Sequence, residues 1–359
     1  MGRLVRIGID VGGTFTKAVL LDNDSHEIIG QVVVPTTHGA EAGVAEGVID
    51  AFQRALGAAG ITAADVVFIA HSTTQATNAL LEGDVARVGV IGMGRGAVES
   101  RLARSQTVIG DIELAAGRVI SSTHTFMRSD EAGADAVRAA VAAVRAQGAR
   151  VVVASDAFSV DDARAEEQVM AAAAEAGLPA TGGHEISKLY GLTIRTRTAV
   201  INASILPKMI ETAQLTQEAV RQAGIAAPLM IMRGDGGVMD LGEVQKRPVL
   251  TMLSGPAASV AGALMYLRVS DGIFFEVGGT STNIGVIRGG QPTVAFAEVG
   301  GTAPTSARWT CACSASRGAA WCGSRAIVSW TWAPAAPTSR GCPTRPSSPP
   351  RPSSTPRSS

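Results

Sequence analysis

The sequence predicts an α/β protein of two lobes, and three observations carry that prediction. Apolar strand-like runs alternate with amphipathic helical stretches along most of the chain. Near the start, and again near residue 276, an apolar run ends in an acid, Val-Gly-Gly-Thr, a hydroxyl residue and a second apolar run. With 359 residues and 46% hydrophobic content, the chain can bury one or two sizeable cores.

The first of these runs is Ile7-Gly8-Ile9-Asp10-Val11-Gly12-Gly13-Thr14-Phe15-Thr16-Lys17-Ala18-Val19. Two strands meet there at a tight bend, whose glycines are expected to take positive φ at little steric cost. Consecutive backbone N–H groups in such a bend form an anion-binding nest, to which the hydroxyls of Thr14 and Thr16 add donors. Asp10 ends the strand where a magnesium ion would sit. One copy alone also fits an ordinary Gly-Gly hairpin. The second copy, Glu276-Val277-Gly278-Gly279-Thr280-Ser281-Thr282-Asn283, argues for two related lobes gripping one polyphosphate. No G-x4-G-K-[ST] stretch occurs, so a Walker-type phosphate loop is excluded.

Taken in order, a third strand is expected at 27–34 and a helix at 40–59, with Val44, Val48, Phe52 and Leu56 on one face. A buried strand at 66–70 delivers a turn, His71-Ser72-Thr73-Thr74, ahead of an apolar helix. Those hydroxyls either cap the helix or bind an anion, and His71 either touches substrate or bonds a backbone carbonyl. A strand at 87–92 runs into Gly92-Met93-Gly94-Arg95-Gly96-Ala97, a loose G-x-G-x-x-A dinucleotide pattern that is weak as a lone match. Helices at 131–147 and 162–176 flank a strand at 150–154, and Asp161 reads as a helix cap. A helical stretch at 201–223, interrupted near Pro207, reads as the passage between lobes. A strand at 229–232 enters the glycine-dense turn Arg233-Gly234-Asp235-Gly236-Gly237, where Asp235 is either a cleft residue or part of a backbone-driven turn. A small-residue helix from Ser254 to Leu267 then precedes the second hairpin and a strand at 293–297.

Paired acid-x-Gly-Gly-Thr hairpins resemble the two phosphate loops of the actin, sugar-kinase and heat-shock-chaperone ATPases. His71-Ser72-Thr73-Thr74-Gln75-Ala76-Thr77-Asn78-Ala79-Leu80-Leu81-Glu82 narrows the resemblance to the hydantoinase A/5-oxoprolinase family. Val200-Ile201-Asn202-Ala203, Gly234-Asp235-Gly236-Gly237-Val238-Met239 and Ser254-Gly255-Pro256-Ala257-Ala258 agree with it. The likeness runs from about residue 3 to Gly301. It implies an actin-like (ribonuclease H-like) ATPase fold, with an N-terminal lobe over 1–199 and an incomplete second lobe over 200–301.

The resemblance also implies an ATP-dependent, ring-opening amidohydrolase that acts on a cyclic amide of the hydantoin or 5-oxoproline type, with a hydantoinase B-type partner subunit. ATP would phosphorylate the amide oxygen, because amide resonance otherwise protects the carbonyl from water. On this reading Gly12, Gly13, Thr14 and Thr16 face Gly278, Gly279, Thr280, Ser281 and Thr282 across the phosphates of Mg-ATP. Asp10 holds magnesium, Glu276 assists, and His71, Thr73, Thr74, Asn78 and Asp235 are candidates near the substrate. Many members carry Asp where Lys17, Glu276 and Asn283 stand here, and Lys17 either faces the cleft or lies on the opposite side of its strand. A sugar-kinase-like ATPase would share the hairpins but not the His71–Glu82 stretch. A non-catalytic truncated fragment is the third reading.

The formal charge of zero hides an asymmetry. No Asp or Glu follows Glu298 while seven Arg do, so the tail is near +7 and residues 1–301 are near −7. An acidic body gives no reason to expect nucleic-acid binding. The polar N-terminus and the lack of an apolar run near the ~18 residues of a membrane span point to a cytoplasmic protein. All four Cys (Cys311, Cys313, Cys322, Cys342) and all four Trp fall after Gly301, without the paired spacing of a zinc site. Residues 302–359 contain no Lys, Asp, Glu or His and no sustained period. They read as a disordered tail arising from a frameshift in GC-rich DNA, and the chain as it stands is expected to hydrolyse ATP poorly.

Overall fold

A computed structural model describes residues 3–37, 44–115, 117–131, 133–268, 270–277, 281–289, 291–292, 294–296, 307–309 and 311–315. The chain opens with strands β1 (Val5–Val11), β2 (Phe15–Asp22) and β3 (Ile28–Pro35), helix α1 (Val44–Ala59), strand β4 (Val66–Thr73) and helix α2 (Gln75–Glu82). Val5, Ile7, Ile9 and Val11 alternate along β1 and are all buried, packing with Val48, Phe52 and Leu56 of α1. This is the two-residue period of a strand meeting the apolar stripe of a helix. The other face of β1, with Gly8 and Asp10, is left for the cleft.

A second unit follows: β5 (Val88–Gly94), α3 (Ala97–Thr107), the small hairpin β6 (Ile112–Ala115) and β7 (Arg118–Ile120), β8 (Ser122–Arg128) and α4 (Ala134–Ala146). It continues through β9 (Val151–Asp156), α5 (Arg164–Glu175), β10 (Ala180–Gly182) and α6 (Gly183–Ile186). Its sheet is parallel, in the order β10-β9-β5-β8. The loose dinucleotide pattern lies on β5 and the start of α3, where packing accounts for it. A Cβ at Gly92 would sit 2.2 Å from Thr107 Oγ1, and the Gly96 N–H at the helix start donates to Asp130 Oδ2. Asp161 does not cap α5: it accepts from the Tyr190 hydroxyl, while Asp162 accepts the Arg164 N–H.

Helix α7 (Leu192–Gln222) runs unbroken through Pro207, which corrects the expected interruption. The division expected between 199 and 200 falls inside this helix. The chain then forms β11 (Leu229–Met232), β12 (Val238–Met239), α8 (Leu241–Lys246) and α9 (Ser254–Leu267). Strand β11 pairs in parallel with β4, giving one six-stranded sheet in the order β12-β11-β4-β1-β2-β3. Residues beyond 200 therefore complete the first sheet.

The described part ends with β13 (Gly272–Val277), β14 (Ser281–Arg288), β15 (Gln291–Pro292), β16 (Val294–Phe296), β17 (Ala307–Trp309) and β18 (Cys311–Ala315). Strand β17 pairs with β16, and β18 with β14. Within the stretch expected to be a tail from residue 302, Ala307–Trp309 and Cys311–Ala315 are strands; its other residues lie outside the described residues. Among the described residues no helix is long and apolar enough to cross a membrane.

Inside the second unit lies a buried polar network. Glu166, wholly buried, accepts from the Asp156 N–H at 2.7 Å, the His184 N–H at 2.8 Å and His184 Nδ1 at 2.6 Å. Arg195, equally buried, donates to the carbonyls of Leu189 and Asp156. Hydrogen bonding to Glu166 holds the His184 pKa above its ordinary value despite burial.

Candidate active site

Asp10 sits on the open face of the first sheet, and strand register fixes its neighbours. Lys17 of β2 lies opposite it on one side and Ser72 of β4 on the other. The Ser72 hydroxyl donates to Asp10 Oδ1 at 2.7 Å. All three line a cleft of about 490 Å³ between this sheet and α9. Val19, Met232, Ala258 and Met265 supply apolar wall, so charge is concentrated at the Asp10 end. Alternation along β2 settles the side of Lys17: it faces the cleft, with Val19 and Leu21.

The same alternation turns Thr16 inward. It is wholly buried, and its hydroxyl meets that of Thr36 at 3.1 Å, so it braces the bend instead of lining the cleft. The bend is fastened from two further directions. Thr36 Oγ1 donates to the Gly12 carbonyl and the Thr36 N–H to that of Thr14, while the Thr74 N–H and hydroxyl reach the Val11 carbonyl. Gly12 does not take the expected positive φ. Its need is close approach, since a Cβ there would stand 3.1 Å from the Phe15 carbonyl oxygen.

Strand β4 extends through Thr73, so the expected turn at His71–Thr74 is strand for three of its four residues. His71 pairs in register with Ile9 and Ile231, on the face opposite Asp10 and Ser72. It is 2% exposed and its Nδ1 has no hydrogen-bond partner. Desolvation pushes its pKa down to about 4, so the ring is neutral at physiological pH. The structure thus separates His71 from the cleft.

Thr73, Thr74 and Asn78 hold backbone together. Thr73 Oγ1 accepts the Gln75 N–H, and Asn78 Nδ2 donates to Thr74 Oγ1. Ser254 then clips α9 onto this segment: its hydroxyl accepts the Thr73 N–H at 3.2 Å and donates to the Thr73 carbonyl at 3.0 Å. Thr77 Oγ1 takes the Leu253 N–H. The clip brings Gly255 close enough that a Cβ there would lie 3.8 Å from Asp10 Oδ1. Sequence reasoning missed this role of Ser254, for which the Ser-Gly-Pro start of an apolar helix was the available signal. Asp235 pairs with Arg233 and accepts the Gly237 N–H; it shapes the β11–β12 turn and is absent from the cleft lining.

The second hairpin repeats the first in register. Asp10 opposes Lys17 and Val11 opposes Thr16; likewise Glu276 opposes Asn283 and Val277 opposes Thr282. Ser281 begins β14. Gly278, Gly279 and Thr280 lie outside the described residues, so their expected phosphate contacts are left to the proposal below. Among the described residues no group of three or more His, Cys, Asp or Glu could hold a metal ion.

A sheet with this strand order, an acid at the hairpin bend and a second hairpin of the same register define an actin-like ATPase fold. Two solved structures share it: nucleotide-free acetone carboxylase (TM-score 0.67, 20% identity, 87% of this chain and 48% of that one) and the ATP-dependent caprolactamase of Pseudomonas jessenii (TM-score 0.61, 23% identity, 85% and 47%). The family model for the hydantoinase/oxoprolinase N-terminal region matches residues 6–177, and that for hydantoinase/oxoprolinase matches 195–319. The chain belongs to the hydantoinase/oxoprolinase family. The family match runs past Gly301, where the sequence likeness was expected to stop. Curated relatives include the caprolactamase alpha subunit of Pseudomonas jessenii, 27% identical over 314 residues (80% of this chain, 44% of that protein). The acetophenone carboxylase gamma subunit of Aromatoleum aromaticum is 26% identical over 321 residues (78% and 42%). The chain spans less than half the length of either.

Proposed function

We propose that this chain forms the nucleotide-binding part of an ATP-dependent enzyme that opens a cyclic amide, working with a hydantoinase B-type partner subunit. The observation that carries the proposal is the pair of hairpins with one register, each with an acid followed in sequence by Val-Gly-Gly-Thr. In this reading the backbone of Gly12, Gly13 and Thr14 cradles phosphate oxygens from one side, and the Gly278–Thr282 segment does so from the other. Lys17 sets an ammonium against the phosphate charge. Asp10, which accepts from Ser72, would meet magnesium through the ion's water shell, as suits an ion that retains most of its waters. When bound, magnesium would offset charge on the phosphates.

Transfer of the terminal phosphoryl group to the amide oxygen forms a P–O bond and breaks the one to ADP. Water then adds to the activated carbon, the C–N bond breaks with protonation of the ring nitrogen to leave an acyl phosphate, and a second water hydrolyses that acyl phosphate to the carboxylate and inorganic phosphate. The similarity to an ATP-dependent caprolactamase and to an ATP-dependent acetone carboxylase supports the use of ATP on a carbonyl compound. Positioning and charge stabilisation are the protein's share of such chemistry.

The test is ADP release by the complete protein with its partner subunit, presented with hydantoins, 5-oxoproline, simple lactams and hexoses. Stimulation by a cyclic amide, abolished by Asp10→Asn with an unchanged circular dichroism spectrum, is the expected result. A hexose response without a cyclic-amide response would favour the kinase reading, and full turnover in Asp10→Asn would remove Asp10 from the chemistry.

A further inference from the structure

The cleft face of the first hairpin holds a cation in the place where a metal site would need anions. Asp10 and Lys17 are register partners that line the same cleft, and facing side chains on paired strands stand roughly 5 Å apart at Cβ. Lys17 makes no ion pair among the described residues. Asp10 is already engaged, by Ser72 at one oxygen and by a further contact, and no cluster of three metal-binding side chains exists among the described residues. A bare divalent ion entering here would meet one carboxylate and one ammonium, with no net attraction from the pair. Hard cations of this kind need about six oxygen ligands, and magnesium gives up its waters reluctantly. A triphosphate supplies several oxygens and enough negative charge to engage both the metal and Lys17.

We propose that Lys17 makes the metal position beside Asp10 nucleotide-dependent: the cleft takes its divalent ion only together with the nucleotide, and Lys17 enforces that order by repelling the free ion. This rests on the nucleotide reading above, and it assigns Lys17 a role beyond simple contact with phosphate.

The probe is Mn²⁺, followed by water-proton relaxation on the whole chain, with and without a non-hydrolysable ATP analogue. Wild type should show no saturable Mn²⁺ binding up to about 1 mM in the absence of the analogue, and clear binding in its presence. Lys17→Ala should bind Mn²⁺ without nucleotide at least ~10-fold more tightly than wild type. Lys17→Asp should bind it more tightly still, and adding Asp10→Asn to either should abolish the gain. Equal nucleotide-free behaviour of wild type and Lys17→Ala, whether both bind or neither does, overturns the proposal and leaves the nucleotide reading standing. Failure of every variant to bind Mn²⁺ with the analogue present overturns both.

Discussion

Replacing His71 by leucine should flatten the acid side of the stability curve while sparing ATP hydrolysis. The ring is 2% exposed among the apolar side chains on the helix-packed face of the first sheet, and burial brings its pKa from 6.5 to about 4. Between those values the unfolded chain binds a proton at this position and the folded chain does not, so stability rises with pH across the window. The contribution is fully present above pH 6.5 and is lost as pH falls toward 4. The complete shift corresponds to roughly 3 kcal/mol, of which about 2 kcal/mol disappears between about pH 7.5 and about pH 5. Urea unfolding of wild type and His71→Leu at both pH values isolates this amount as a difference of differences. His184, whose pKa is raised and whose effect has the opposite sign, is common to both proteins and cancels. Identical pH slopes would refute the burial argument. Loss of turnover in a variant of unchanged stability would return His71 to the catalytic machinery.

Ser72→Ala should lower turnover roughly tenfold and raise the magnesium concentration needed for half-maximal rate, since a hydrogen bond to a charged group contributes about 1.5–3 kcal/mol; Ser72→Thr, which keeps the hydroxyl, should restore both, and an unchanged magnesium profile in Ser72→Ala would remove Ser72 from the site. Glu166→Gln leaves buried Arg195 and His184 without their shared counter-charge and should cost about 3–5 kcal/mol, read from denaturant midpoints; a change below about 0.5 kcal/mol would show the network to be incidental. Genomic sequencing through the codons for Gly300–Thr302 tests the frameshift reading, and an unaltered frame would end that account of residues 302–359.

The hairpins were legible because their signal is local: an acid, two glycines and a hydroxyl at fixed spacing, bounded by apolar alternation. What sequence could not supply was the side to which each strand turned. Alternation says that His71 and Ser72 point oppositely, but only the packing of α1 and α7 onto one face decides that Ser72 meets Asp10 while His71 is buried. The same ambiguity covered Thr16 and Lys17, and the structure resolves it against Thr16. Helix α7 was misjudged for a different reason. Pro207 removes one backbone donor, a loss tolerated where Ile205, Leu206 and Met209 are all buried around it. The return of β11 to the first sheet is a contact across more than 150 residues of sequence relative to β4, and no local pattern encodes it.

Register gives the departures from the family's commoner pattern a single location. Lys17 lies directly across from Asp10, and Asn283 directly across from Glu276. Both stand where the resemblance leads one to expect Asp, at equivalent places in two equivalent hairpins. The two exchanges change formal charge in the same direction, one carboxylate becoming an ammonium and the other an amide. On the nucleotide reading proposed above, each change weakens the pull on a free cation beside the two acids and favours an anion that brings its own metal. Restoring the acid at one position should therefore shift metal affinity in the same sense as restoring it at the other. A Lys17→Asp, Asn283→Asp double variant should bind Mn²⁺ without nucleotide more tightly than either single variant. Opposite effects at the two positions would show that the hairpins, though alike in register, do not face a common ligand.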